Sequence, residues 1–297
     1  MPPLTQLTTN EGLSSNTVTA IHQDRNGYMW FQNFQGLDRY DGIEFLNYFS
    51  SQEELGYCIV EDSLGNLWYG SSLTVYDQAT DTHYKKKFYY RGEKQETGRI
   101  LSIAYGPDHL FYLATEENIL LKDPYTPDST LEMLFPEEMD LPFQQIARIR
   151  FDPQGRLWIA SDAGLFWYQP GMGSPVLFTE LEYPGLRSVR DFLIDRNGDL
   201  WFVFTKDLIK YSIRHDSTLF YTLPDVDQTS LSTVYQSENG TIWLGTSGNG
   251  LYYLEPDLDH FICLLDHSKI RTVYEDRSHR IWTVSYTHLT LPTNREV

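Results

Sequence analysis

Forty-one acidic side chains and eight histidines give this chain ample material for acid–base or metal chemistry, so the question is whether their spacing organises any of it. The nearest approach to a cation loop is Asp195-Arg196-Asn197-Gly198-Asp199. The glycine at the sixth place and the bidentate glutamate at the twelfth that a calcium loop requires are both missing, so the stretch reads as a turn. No His-Glu-x-x-His, Gly-x-Ser-x-Gly or Gly-x-x-x-x-Gly-Lys string occurs, which removes the commonest zinc, serine-hydrolase and phosphate-loop readings. The histidines are scattered. No metal, no cofactor and no catalytic residue is expected, although a glycosidase-type carboxylate pair depends on spatial separation and stays open at this level. Cys58 and Cys263 lie far apart inside apolar runs, Tyr57-Cys58-Ile59-Val60 and Phe261-Ile262-Cys263-Leu264-Leu265, and are expected to be buried thiols.

What the sequence does organise is a repeated phrase: an apolar strand, an Asp, a Gly three residues later, a Trp three after that, a short loop and a second apolar strand. Four copies are complete: Asp24 with Gly27 and Trp30, Asp62 with Gly65 and Trp68, Asp152 with Gly155 and Trp158, and Asp195 with Gly198 and Trp201. Ser237 replaces Asp ahead of Gly240 and Trp243, and His279 replaces Gly between Asp276 and Trp282. A degenerate copy runs through Gly106-Pro107-Asp108-His109 to Tyr112, which takes the Trp place. The aromatic positions 30, 68, 112, 158, 201, 243 and 282 are 38 to 46 residues apart, the length of a four-stranded blade. Asp accepts backbone amides across a tight turn and Gly closes it at positive φ, while the flanks are rich in Val, Ile, Trp and Tyr as half-buried strands require. The expected fold is all-β: one seven-bladed β-propeller over residues 1–284.

These residues resemble the two-component regulator propeller repeat, whose signature runs as apolar strand, Asp-x-x-Gly-x-Leu-Trp, small-polar loop, Gly-Leu, then Tyr. The opening Glu11-Gly12-Leu13-Ser14-Ser15-Asn16-Thr17-Val18, followed by Gly36-Leu37-Asp38-Arg39-Tyr40-Asp41-Gly42, is similar to the first propeller of Bacteroidetes hybrid two-component systems. The resemblance spans about residues 4 to 284. It implies a periplasmic sensor module of a dimeric inner-membrane receptor that detects oligosaccharides, with membrane and histidine kinase parts beyond this chain. After Val284 the pattern breaks: residues 285–297 carry no Gly and are expected to be a non-native tail, leaving the last blade incomplete. An N-terminal strand around Leu4 to Thr8 is expected to help complete that blade.

A formal net charge of −18 repels phosphate backbones, so direct nucleic-acid contact is not expected. No stretch approaches the length of a membrane span, and the start has no signal-peptide pattern. Ligand contacts are expected on the loops after each Trp strand and before each repeat's first strand, from Asn16, Asn33, Gln35, Asp162, Arg187, Lys206, Asn249 and Lys269, with Phe34 beside them. Amides, cations and aromatic faces suit sugar hydroxyls and carboxylates. Arg148, Arg150, Arg187 and Arg190 would suit an anionic glycan if they formed one basic patch. The rival readings are a propeller-type polysaccharide lyase or glycosidase, and a pure protein-interaction scaffold.

Overall fold

Each Asp-x-x-Gly turn is closed by a single buried carboxylate with three tasks. At Asp24, one carboxylate oxygen accepts the amides of Asn26 at 2.9 Å and Tyr28 at 3.0 Å, and the other accepts the Trp30 indole N–H at 2.8 Å. The same set recurs at Asp62, Asp152, Asp195 and Asp276, with the indoles of Trp68, Trp158, Trp201 and Trp282 as the third donors. The carboxylate thus joins a turn to the strand that leaves it, which is why Asp and Trp recur six residues apart. The fourth residue of the turn takes the left-handed region. Gly27, Gly65 and Gly155 have φ 93°, 96° and 78°, and His109 and His279 adopt the region at 64° and 60° where the sequence has no glycine.

The two irregular copies solve the same problem differently. Trp243 donates to Ser237 Oγ at 3.1 Å, while Asn239 Oδ1 takes over the Thr241 amide at 3.1 Å. In the degenerate copy Gly106 stands where five of the copies have Asp, and Asp108 accepts the Tyr112 hydroxyl at 2.7 Å and the Leu110 amide at 3.2 Å. A Cβ on Gly106 would lie 2.4 Å from Asp108 Oδ1 and 2.6 Å from Tyr112 Cε2, so the space an Asp would fill is already occupied.

The computed structural model describes residues 4–49, 58–71, 73–85, 89–90, 99–116, 118–125, 130–136, 138–179, 183, 189–223, 230–255, 257–266, 268–285 and 289–292. Among the described residues the chain is all-β, of β-propeller type, apart from a 3-10 turn at Thr9–Glu11. Strand β1 is Leu4–Leu7. The first repeat forms β2 (Val18–Gln23), β3 (Met29–Asn33), β4 (Gly36–Tyr40) and β5 (Phe45–Phe49); the second forms β6 (Ile59–Glu61), β7 (Leu67–Tyr69), β8 (Thr74–Asp77) and β9 (Thr82–Lys85). The third holds β10 (Tyr89–Tyr90), β11 (Ser102–Tyr105), β12 (Phe111–Ala114), β13 (Ile119–Lys122) and β14 (Thr130–Met133). The fourth is β15 (Ile146–Phe151), β16 (Leu157–Ser161), β17 (Gly164–Tyr168) and β18 (Val176–Leu177). The fifth is β19 (Asp191–Ile194), β20 (Leu200–Val203), β21 (Leu208–Ser212) and β22 (Ser217–Tyr221), and the sixth β23 (Leu231–Gln236), β24 (Ile242–Thr246), β25 (Leu251–Leu254) and β26 (Ile262–Leu265). The last is β27 (Ile270–Glu275), β28 (Ile281–Ser285) and β29 (Leu289–Pro292). They pair into seven sheets. Six run in chain order within one repeat, except that β10 adds to β14 in parallel; the seventh has the order β1-β29-β28-β27.

That seventh sheet corrects one expectation. Residues 289–292 pair antiparallel with both β28 and β1, so the last blade has four strands. Strand pairing uses backbone N–H and C=O groups, which a tail lacking the Gly-Leu signature still provides. The thiol expectation is corrected too, because Cys58 is half-buried and Cys263 is exposed on β26.

The chain divides into two compact units, residues 1–53 with 190–297 and residues 54–189. In the first, β19, β23, β27 and β2 lie side by side in that order, over cores that include Phe31, Trp282 and Val284, and Trp201, Leu244 and Phe261. In the second, β6, β11 and β15 do the same over Trp68, Phe111 and Leu113, and over Ile149, Ile159 and Phe166. There the Trp158 ring is buried and meets Phe178 edge-on at 5.5 Å. Neighbouring sheets of the first unit are also latched. The amide after each turn Asp or Ser donates to the residue preceding that place in the next repeat: Arg196 to Gln236 at 2.9 Å, Glu238 to Glu275 at 2.5 Å and Arg277 to Gln23 at 2.7 Å. Among the described residues no helix is long and apolar enough to cross a membrane.

Candidate functional site

The polar loops expected to bind ligand lie at the ends of the strands remote from the Asp-x-x-Gly turns. In the first unit their organising group is Asp38 of β4, which is fully buried. One of its oxygens accepts from the Ser14 amide at 2.9 Å, the Ser14 hydroxyl at 2.9 Å and Asn33 Nδ2 at 2.7 Å; the other accepts from Asn47 Nδ2 at 2.8 Å. Burial raises the Asp38 pKa above the usual carboxylate value, against the opposing pull of Asn47, Ser14 and Asn33. This clasp fixes the loop ahead of β2 against the β3–β4 turn. Asn33 Oδ1 in turn accepts the Gln35 amide at 2.7 Å, which holds the turn with Phe34 and Gln35 facing solvent.

The clasp reassigns several expected contact residues. Asn33 is only 2% exposed, and its amide is consumed by the clasp. Asn16 is half-buried and accepts the Thr9 amide at 2.9 Å. Gln35 is exposed, as is the Phe34 ring.

A second group forms a rim in the same unit. Thr205 O accepts the Leu231 amide at 2.9 Å, Ser230 O that of Ser247 at 2.7 Å, and Ser268 O that of Gly250 at 2.8 Å, with Ser247 bridged to Lys269. These bonds bring Lys206, Asn249 and Lys269 along one edge, both lysines exposed and Asn249 half-buried. In the other unit Asp162 is exposed but engaged: the amides of Gln145 and Gln144 donate to it at 3.0 Å each, and they hold its pKa below the usual value.

Arg187 lies outside the described residues. Arg148 and Arg150 are half-buried on β15, and Arg190 is exposed just ahead of β19.

Chemically the rim and clasp offer donors, acceptors, two cations and one exposed aromatic face. Among the described residues, no group of three or more His, Cys, Asp or Glu side chains is placed to hold a metal ion. Sequence reasoning missed Asp38 as a hub and Gln23, Gln236 and Glu275, each just ahead of a turn Asp or Ser, as latches. The signal for the hub was present, in Ser14, Asn33 and Asp38 inside the distinctive opening; the latch has no motif beyond an amide or carboxylate at one place.

The clasp loop, β2, β3 and the turn beyond them coincide with a stretch recognised by a family profile. Residues 12–35 match the two-component regulator propeller. This repeat is what the Asp24 turn and the Ser14–Asn33 pair build. Among solved structures, the chain is similar to the extracellular domain named as that of the hybrid two-component system BT4673 from B. thetaiotaomicron, with TM-score 0.81 and 18% identity over 100% of this chain and 40% of that one. The corresponding domain of BT3049 from the same organism gives 0.78 and 20%, over 99% and 42%. This chain therefore spans about two fifths of those domains. Virginiamycin B lyase from Staphylococcus aureus shares the fold at TM-score 0.74 and 12% identity, over 98% and 99% of the two chains. No curated protein sequence matches the chain.

Proposed function

We propose that the chain is a non-catalytic, extracytoplasmic sensor module of a hybrid two-component receptor and that it responds to oligosaccharide. The observation that supports this most is the Asp38 clasp. A buried carboxylate and three polar side chains inside and next to the matched repeat stiffen the turn that presents Phe34 and Gln35, which is preorganisation for contact and supplies no reactive group. The periplasm, a homodimeric receptor and a kinase beyond this chain belong to the same proposal. Signalling would be a shift between pre-existing arrangements of the intact receptor, driven by the ligand's preference for one of them. The likeness to virginiamycin B lyase across 98% of the chain favours an elimination or hydrolysis enzyme as the second reading.

A thermal-shift screen against plant, host and microbial oligosaccharides tests both. A saturable rise in melting temperature with one glycan class, following mass action for a ligand of the native state, is the expected result. A flat response from folded protein would remove ligand sensing from this chain, and new reducing ends in the same samples would establish the enzyme.

A further inference from the structure

The degenerate third repeat departs from the pattern at four places at once, and two of the changed residues, Tyr105 and His109, meet on one patch of residues 54–189. Gly106 replaces the turn Asp, His109 the turn Gly and Tyr112 the Trp, while Tyr105 stands where the latch residue is Gln or Glu in the first unit. At the neighbouring junction the latch itself is different. The Ser63 amide donates to the hydroxyl of Tyr125, from the turn after β13, at 3.1 Å, and the Ser63 hydroxyl is in hydrogen-bond contact with that same oxygen. Tyr125 Oη is 3.4 Å from Tyr105 Oη, which is 3.3 Å from His109 Nδ1. Four polar groups thus stand where a single side chain serves elsewhere.

Two of those links are longer than the usual hydroxyl bond of about 2.7–2.8 Å, so they are the ones a bound hydroxyl would most readily replace. The patch is open: Tyr125 is 39% and Leu64 65% exposed, and Ser63 and His109 are exposed. Behind it the Tyr105 ring rests on Phe111 at 5.3 Å, which fixes its orientation. The Tyr125 bond first, then burial and the negative charges nearby, pushes the Tyr105 hydroxyl up to about 12, so it stays protonated and able to donate. The pair Tyr105 and Tyr125 in place of one Gln or Glu latch breaks the local rule of the repeat, and such breaks are where function overrides it.

We infer that Ser63, Leu64, Tyr105, His109 and Tyr125 form a contact patch for a neutral saccharide, at the Asp-x-x-Gly end of the strands and so distinct from the loops expected to bind. Each hydroxyl and the imidazole can donate or accept, as sugar hydroxyls do, and the tyrosine ring with Leu64 offers an apolar face to the C–H side of a pyranose. Asp62 and Asp108 sit in the same two turns as Ser63 and His109, so the patch is flanked by carboxylates, which selects against uronic or sulfated sugars. The inference rests on the oligosaccharide reading proposed above and narrows it.

The test is calorimetric titration of the full chain with hexasaccharides of glucose, xylose and mannose, and with hexagalacturonate as the anionic probe. At least one neutral hexasaccharide is expected to bind, with Tyr125→Ala weakening it by about tenfold or more and Tyr105→Phe by about threefold or more, while Leu219→Ala, at an exposed place on β22, leaves it unchanged. If Tyr125→Ala fails to fold, Leu64→Ala replaces it, with at least a threefold loss expected. Binding that is equal in wild type and the patch variants would overturn the patch and leave the glycan sensor standing. Preference for hexagalacturonate would overturn the neutral assignment, and no binding by any probe would overturn the patch together with the oligosaccharide reading.

Discussion

Replacing Asp24 with asparagine isolates the interaction on which the repeat is built. Asp24 and Trp30 are both fully buried, and the carboxylate holds two turn amides and the Trp30 indole at 2.8–3.0 Å. Asparagine can keep its carbonyl toward the amides, but its NH2 group then faces the indole N–H, donor against donor. The charge-assisted bond to the indole, about 1.5–3 kcal/mol, is lost, and the two remaining bonds weaken as the acceptor becomes neutral. Burying a neutral amide in place of an ion returns part of this, leaving a net loss of about 2–4 kcal/mol. In a Trp30→Phe background the indole donor is gone, so the same substitution should cost at least about 1 kcal/mol less. Ser237→Ala provides the neutral counterpart: its bond to Trp243 is longer and uncharged, and the cost should be about 1 kcal/mol. Urea unfolding of the four proteins of the Asp24–Trp30 cycle and of the Ser237 variant, followed by circular dichroism, measures all of this. An Asp24→Asn protein within about 0.5 kcal/mol of wild type, or a cycle with no coupling, would refute the account of the turn.

Three further outcomes follow from the geometry. Asp38 has a raised folded-state pKa, so the folded protein holds its proton more tightly than the unfolded chain, and its contribution to stability falls as pH rises from the ordinary value of 3.8 through the raised one. The difference between wild-type and Asp38→Asn unfolding free energies across acidic pH should show that slope, and a flat difference would count against it. Asp162 has the opposite sign, because its lowered pKa gives stability that is present above the unfolded value and lost as pH falls through the folded one; Asp162→Ala should remove that component from the same titration. Gly250→Ala should cost at least about 3 kcal/mol or abolish folding, read from the urea midpoint, since its Cβ would meet Leu265 O at 1.5 Å on a backbone with φ 91°.

Much of the architecture could be read from the chain alone because its repeat is local. An Asp, a Gly and a Trp within seven residues contain the whole hydrogen-bond scheme of the turn, so their recurrence at 38 to 46 residues announces hairpin after hairpin. The departures at Ser237 and His279 were equally visible, and the structure shows each accommodated without loss of the turn. What the chain by itself could not reveal is which polar residues remain available. Asn33 and Gln35 are two residues apart in one loop, yet Asn33 is spent on a carboxylate five positions later while Gln35 is exposed. Asn16 and Asp162 likewise accept backbone amides, of Thr9 and of Gln144 and Gln145, because loop N–H groups outside the strand ladders still need acceptors.

Only tertiary structure decided these fates, since each partner is brought in by another strand or loop. The same is true of β29, whose pairing with β1 joins residues nearly three hundred positions apart through backbone groups that carry no sequence signature. It holds too for the Tyr105–Tyr125–Ser63 chain, whose members come from three segments that a repeat alignment places in different columns.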